Sequence, residues 1–148
     1  MTPIPRFEDI SVHRTGIVLR PEIRAHVKVL FDAPLESPEV LLHDVENHAR
    51  TVEIVSKRKR PRQLPLSRAL TKGLKDFLAS LNENSTPAQR HLVQAACKYF
   101  VENQEGGDHD LASDTGLDDD AEVFIAVARW LKREDLAEEV EAILDATP

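Results

Sequence analysis

Apolar residues recur along this chain at intervals of three and four, and prolines break the recurrence where one stretch gives way to the next. That pairing constrains the fold more than any other feature. A three-to-four spacing puts apolar side chains on one stripe of a helix. A proline can open a helix but not lie in its interior.

After Pro21 the stripe Ile23, Val27, Leu30 and Phe31 predicts a helix over Pro21 to Asp32, which Pro34 stops. Ser37, Pro38 and Glu39 form an N-cap, a first helical residue and a first-turn acid, and Leu41, Val45, Ala49 and Val52 continue as a second helix. Its end is open, because the β-branched residues between Thr51 and Val55 also suit a short strand. The run KRKRPRQLP from Lys57 to Pro65 is expected to be a basic linker. A third helix carries Leu66, Leu70, Leu74, Phe77 and Leu81, with Asn82 to Ser85 ending it.

Thr86 and Pro87 repeat the cap-then-proline signal for a fourth helix reaching about Glu102, with Leu92, Ala96, Tyr99 and Phe100 on its stripe. Asp118 is expected to cap a fifth helix bearing Phe124, Ile125, Ala128 and Leu131. Asp135 is expected to cap a sixth, with Leu136, Val140, Ile143 and Leu144. The predicted fold is all-α, a compact bundle or orthogonal array of about six helices. Residues 1–20, broken by Pro3, Pro5 and Gly16, read as an extended arm, and 21–148 as a single helical domain.

A chain of 148 residues can bury such a core without disulfides or metal. Cys97 is the only cysteine, which excludes an intrachain disulfide and a cysteine-based zinc site and suits a reducing compartment. The polar, proline-broken start and the lack of an apolar run near eighteen residues make a soluble, cytoplasmic protein the expectation.

Charge is unevenly distributed. Residues 1–80 carry 14 Lys and Arg against 10 Asp and Glu, giving +4, and residues 81–148 carry 5 against 16, giving −11. The halves are complementary and can meet within one molecule or between molecules.

An acidic loop over 103–118 is the metal candidate, because hard cations take clustered carboxylate oxygens. Asp108, Asp110, Asp114 and Asp118 are the candidate ligands. With Asp108 and Asp110 in the first and third places of an EF-hand, Ala112 falls fifth, Ser113 where Gly is needed and Asp119 where Glu is needed, so the pattern is incomplete. His109 adds one nitrogen with no second histidine near it in sequence. His43 and His48 look like a zinc pair, but five residues set them about 140° apart on a helix. Asp118, Asp119 and Asp120 at a helix start read as capping groups that accept backbone N–H bonds, which favours the ionised form over acid catalysis.

Lys57, Arg58, Lys59, Arg60 and Arg62 can neutralise phosphates, yet no aromatic side chain for base stacking lies near them. An acidic protein surface is the better match of the two, and a merely solvated linker is the plainest reading of the run. No Gly-rich phosphate loop and no Gly-x-Ser-x-Gly elbow occurs, so neither a cofactor nor catalysis is expected.

Around the acidic loop the chain resembles the YkvA-like family. In that family a helix ending in Tyr-Phe leads through an apolar, proline-containing loop to a Gly-x-x-Asp-Asp element opening the next apolar helix. Tyr99, Phe100, Asp118 and Asp119 match these elements, and Gly116 sits one residue closer to the pair. The resemblance spans roughly forty residues and implies a small helical module without an agreed activity, often near membranes or attached to other domains. Here EGGDHDLASD replaces the apolar loop, which argues against a membrane role.

The expected function is a non-enzymatic protein–protein interaction module or accessory subunit, binding another protein or its own copy. The basic run is one expected contact. Leu136, Val140 and Ile143 on the last helix are expected to be the apolar part of the other. The alternatives are a metal-responsive domain using the acidic loop and a nucleic-acid contact through the basic run.

Overall fold

The computed structural model describes residues 21–59, 64–102 and 117–146. Six helices form there: α1 (Pro21–Asp32), α2 (Pro38–Lys59), α3 (Leu64–Ser80), α4 (Pro87–Glu102), α5 (Asp118–Trp130) and α6 (Glu134–Ala146). No strand occurs among the described residues. The residues between Thr51 and Val55 are helical, because Val52 continues the buried stripe of Leu41 and Val45.

The helices associate chiefly as three pairs, α1 with α4, α2 with α3, and α5 with α6. What joins the pairs is α4, which also touches α2, α3 and α5. Its residues from His91 to Cys97 are buried without interruption, so it is covered on all sides.

Two polar side chains of α4 tie down the α1–α2 connection. Gln94 is fully buried; its Nε2 donates to the Pro34 carbonyl at 2.8 Å and its Oε1 accepts from the Glu36 backbone N–H at 2.7 Å. His91 Nδ1 lies 2.8 Å from the Phe31 carbonyl at the end of α1. A carbonyl can only accept, so this nitrogen carries the proton. Lys98 pairs with Glu36 at the same connection.

The helix starts follow the cap chemistry at two places. Val40 N–H donates to Ser37 Oγ at 3.3 Å. Thr86 and Gln89 form a reciprocal capping box, Gln89 N–H to Thr86 Oγ1 at 3.1 Å and Thr86 N–H to Gln89 Oε1 at 2.8 Å. Two expected caps lie inside their helices instead, Asp118 by one residue and Asp135 by two. Leu117 is the N-cap of α5, with no side-chain cap bond, and Asp118 is the first helical residue. Asp135 lies inside the first turn of α6, after Glu134. Acids there still face the positive helix end.

The expected linker from Lys57 to Pro65 is shorter than its composition suggested. Helix α2 continues through Lys59, and α3 already contains Leu64 and Pro65. The arm over 1–20 and the loop over 103–116 lie outside the described residues.

On α6, Leu136 and Val140 are 5% and 1% exposed and belong to the central core, with Ile143 and Leu144 half-buried against it. This corrects their expected role as a contact surface, because the chain's own core already consumes Leu136 and Val140.

Candidate interaction surface

The antiparallel pair α2 and α3 buries one face and leaves a groove of about 420 Å³ along the other, lined from both helices. On α3 the apolar stripe Leu66, Leu70, Leu74 and Phe77 turns inward, which leaves Arg68, Lys72 and Lys75 outward at helical spacing. Arg50 faces them from α2, and Glu53 and Asp76 supply the groove's carboxylates. Four cations thus meet two anions.

The cations differ in how far they are neutralised. Arg68 donates through Nε and Nη2 to one oxygen of Glu53, at 3.0 and 2.8 Å. Lys72 reaches Glu139 on α6 at 3.5 Å. Arg50 Nη2 donates to Asn47 Oδ1 at 2.6 Å, a neutral acceptor, and Asn47 Nδ2 in turn donates to His43 Nε2 at 2.9 Å. Lys75 has no ion-pair partner among the described residues. The exposed pairs are screened and contribute at most about 1 kcal/mol each, so the groove retains a net positive surface.

In the sequence the basic excess continues around the groove residues. Residues 50–76 hold nine Lys and Arg (50, 57, 58, 59, 60, 62, 68, 72, 75) against two acids (53, 76), a balance of +7. Lys57, Arg58 and Lys59 sit on the last turns of α2, whereas Arg60 and Arg62 lie outside the described residues.

The lone thiol and one of the histidines are withdrawn from the surface. Cys97 is 1% exposed, and burial pushes its thiol up to about 12, so it is an inert packing residue at neutral pH. His48 packs edge-on against Phe100 with ring centroids 4.8 Å apart. Its Nε2 is buried with no hydrogen-bond partner, and desolvation lowers its pKa to about 4, which keeps the ring neutral. His43 is exposed on the surface chain to Asn47, so the two histidines have separate environments.

Among the described residues no three His, Cys, Asp or Glu side chains gather into a metal-sized cluster. Asp108, Asp110 and Asp114 lie outside those residues, and Asp118 enters as the first residue of α5. No described helix is long and apolar enough to cross a membrane.

Sequence reading located the dense basic run and missed the groove beside it. Arg50, Arg68, Lys72 and Lys75 look scattered in the chain, and only the spacing of the last three along one helix face signals that they converge. Set against protein-family models, curated proteins and solved structures, the chain finds no match.

Proposed function

We propose that this chain is a non-enzymatic interaction module, an accessory subunit whose α2–α3 hairpin docks an acidic protein surface. The observation that carries the reading is the groove whose lining sets Arg50, Arg68, Lys72 and Lys75 against two carboxylates, Glu53 and Asp76. Such a surface steers acidic partners and fixes their register. No aromatic side chain lines it, which favours carboxylates over stacked bases.

Residence in the cytoplasm and kinship with the YkvA-like domains belong to the same proposal. The buried, unpaired thiol of Cys97 supports the first. Tyr99 and Phe100 in the last turn of α4 and Asp118 and Asp119 at the start of α5 support the second.

The test is titration with a polyglutamate peptide, followed by fluorescence anisotropy at several salt concentrations, beside a DNA duplex and a single-stranded RNA. Binding of the peptide that weakens with salt and is lost in Arg50→Glu with Lys75→Glu is the expected result. Tighter binding of either nucleic acid at physiological salt would replace this reading.

A further inference from the structure

With Leu136 and Val140 in the core, the outward face of α6 is acidic. Asp135, Glu138, Glu139 and Asp145 are all exposed on it. They span about 15 Å of helix, Glu138 and Glu139 being adjacent and Asp135 and Asp145 flanking them on the same side. On α3 the basic residues Arg68, Lys72 and Lys75 recur every three or four over about 10 Å. The two stripes have opposite sign.

Their placement is equally informative. The ion pair of Lys72 with Glu139 joins the rim of the groove to α6 in the same molecule, so both stripes lie side by side. A patch that carries its own complement beside it is self-complementary under a two-fold axis. We infer that a second copy of this chain is a partner for the groove, the α6 face of each copy lying along the α2–α3 groove of the other in a symmetric dimer. This rests on the reading of the groove as a docking site for acidic surfaces.

Of the carboxylates near the groove, Glu53 is engaged by Arg68 and Glu139 by Lys72 within the chain, and Asp76 lies within the electrostatic reach of Arg133. The surplus positive charge is on Lys75 and Arg50, and on α6 the acids outside any ion pair among the described residues are Glu138 and Asp145. Lys75 against Glu138 or Asp145 is the new pairing that the dimer adds, twice by symmetry. Its strength must fall with salt, because exposed attractions are screened beyond a Debye length of about 8 Å at physiological ionic strength.

Sedimentation velocity of the full chain over a range of concentrations tests the inference. A dimer at low ionic strength that separates into monomers as salt rises is expected. Lys75→Glu alone and Glu138→Lys alone should each raise the dimer Kd at least about tenfold. An equal mixture of the two variants should recover the dimer, because both inter-subunit contacts then pair opposite charges. Both positions are exposed, and circular dichroism checks that each variant folds. A monomeric mass at low salt and high concentration, a dimer indifferent to both reversals, or species that keep growing with concentration would each overturn the symmetric dimer. Polyglutamate binding by a protein that stays monomeric would defeat only this inference. Failure of peptide binding as well would defeat the docking reading beneath it.

Discussion

Gly73 lies at the centre of α3 with no turn to make, and its reason is a neighbour. A Cβ built there falls well inside contact distance of the ring tip of Phe124 on α5, which is stacked on Phe77 with centroids 4.9 Å apart. Alanine would gain up to about 1 kcal/mol of helix propensity, but overpacking of this kind costs about 1–3 kcal/mol when the obstructing group is itself held. The clash should win. Gly73→Ala is expected to lower stability by roughly 1–2 kcal/mol in chemical denaturation, and Phe124→Leu in the same chain should recover part of that loss, a coupling read by a double-mutant cycle. An alanine variant at least as stable as the parent would show that the ring retreats freely. His48 makes a second prediction at this scale. Its folded pKa is about 4 against 6.5 for the free side chain, so from pH 6.5 down to 4 the unfolded chain takes up a proton that the fold excludes. The neutral ring's full stability is therefore present above pH 6.5 and declines as pH falls. After discounting for solvent reaching a half-buried ring, the loss is about 1–2 kcal/mol. His48→Leu should remove that part of the pH profile, and parallel profiles for parent and variant between pH 6.5 and 5 would contradict the assignment.

At the scale of the helix, the turn between α5 and α6 stores a correctable strain. Arg133 N–H bonds to the Ala128 carbonyl at 2.7 Å and Lys132 N–H to the Arg129 carbonyl at 3.1 Å, the two bonds of a Schellman ending. The residue that must then be left-handed is Lys132, at φ 61°, where glycine is the usual occupant. Lys132→Gly is expected to raise stability by about 0.5 kcal/mol, the relieved strain exceeding the lost attraction of an exposed charge for the helix end. A calorimetric melt at moderate salt measures it, and a lower midpoint would place the charge above the strain. The same scale shows what the sequence made legible. Pro38 after Ser37 and Pro87 after Thr86 announced their helices because capping is local chemistry carried by adjacent residues. The end of α2 was obscured because like charges suggested a solvated linker. Lysine and arginine are good helix formers, however, and a proline constrains only the residue directly before it, so the run up to Lys59 is free to stay helical. Asp118 and Asp135 lie one and two residues inside their helices rather than at the caps, because an acid suits both the cap and the first turn. The groove was illegible for another reason: it needs residues of two helices, and nothing in Arg50 announces Lys75.

For the whole molecule the question is whether three helix pairs behave as one unit. Contacts of α4 with α1, α2, α3 and α5 make it the common member, and Gln94 is the link by which it holds the α1–α2 connection. In Gln94→Leu the Pro34 carbonyl and the Glu36 N–H lose their partners together. Each unpaired group costs about 1–3 kcal/mol when fully buried. The exposure of Pro34 and the partial exposure of Glu36 let water replace part of both bonds, so the net loss should be near 2 kcal/mol, toward the low end of that range. Because α1 packs chiefly on α4, the loosened connection could in principle free α1 before the rest. The buried contacts of Ile23, Val27 and Phe31 oppose this, as they belong to the same continuous core as Leu74, Phe77 and Phe124. The expected outcome is a single transition shifted to lower denaturant with an unchanged slope, the near-ultraviolet signal dominated by Trp130 on α5 and the far-ultraviolet helix signal moving together. Two separated transitions in the variant, with amide exchange of α1 accelerated ahead of α5, would show instead that Gln94 joins two units that fold apart.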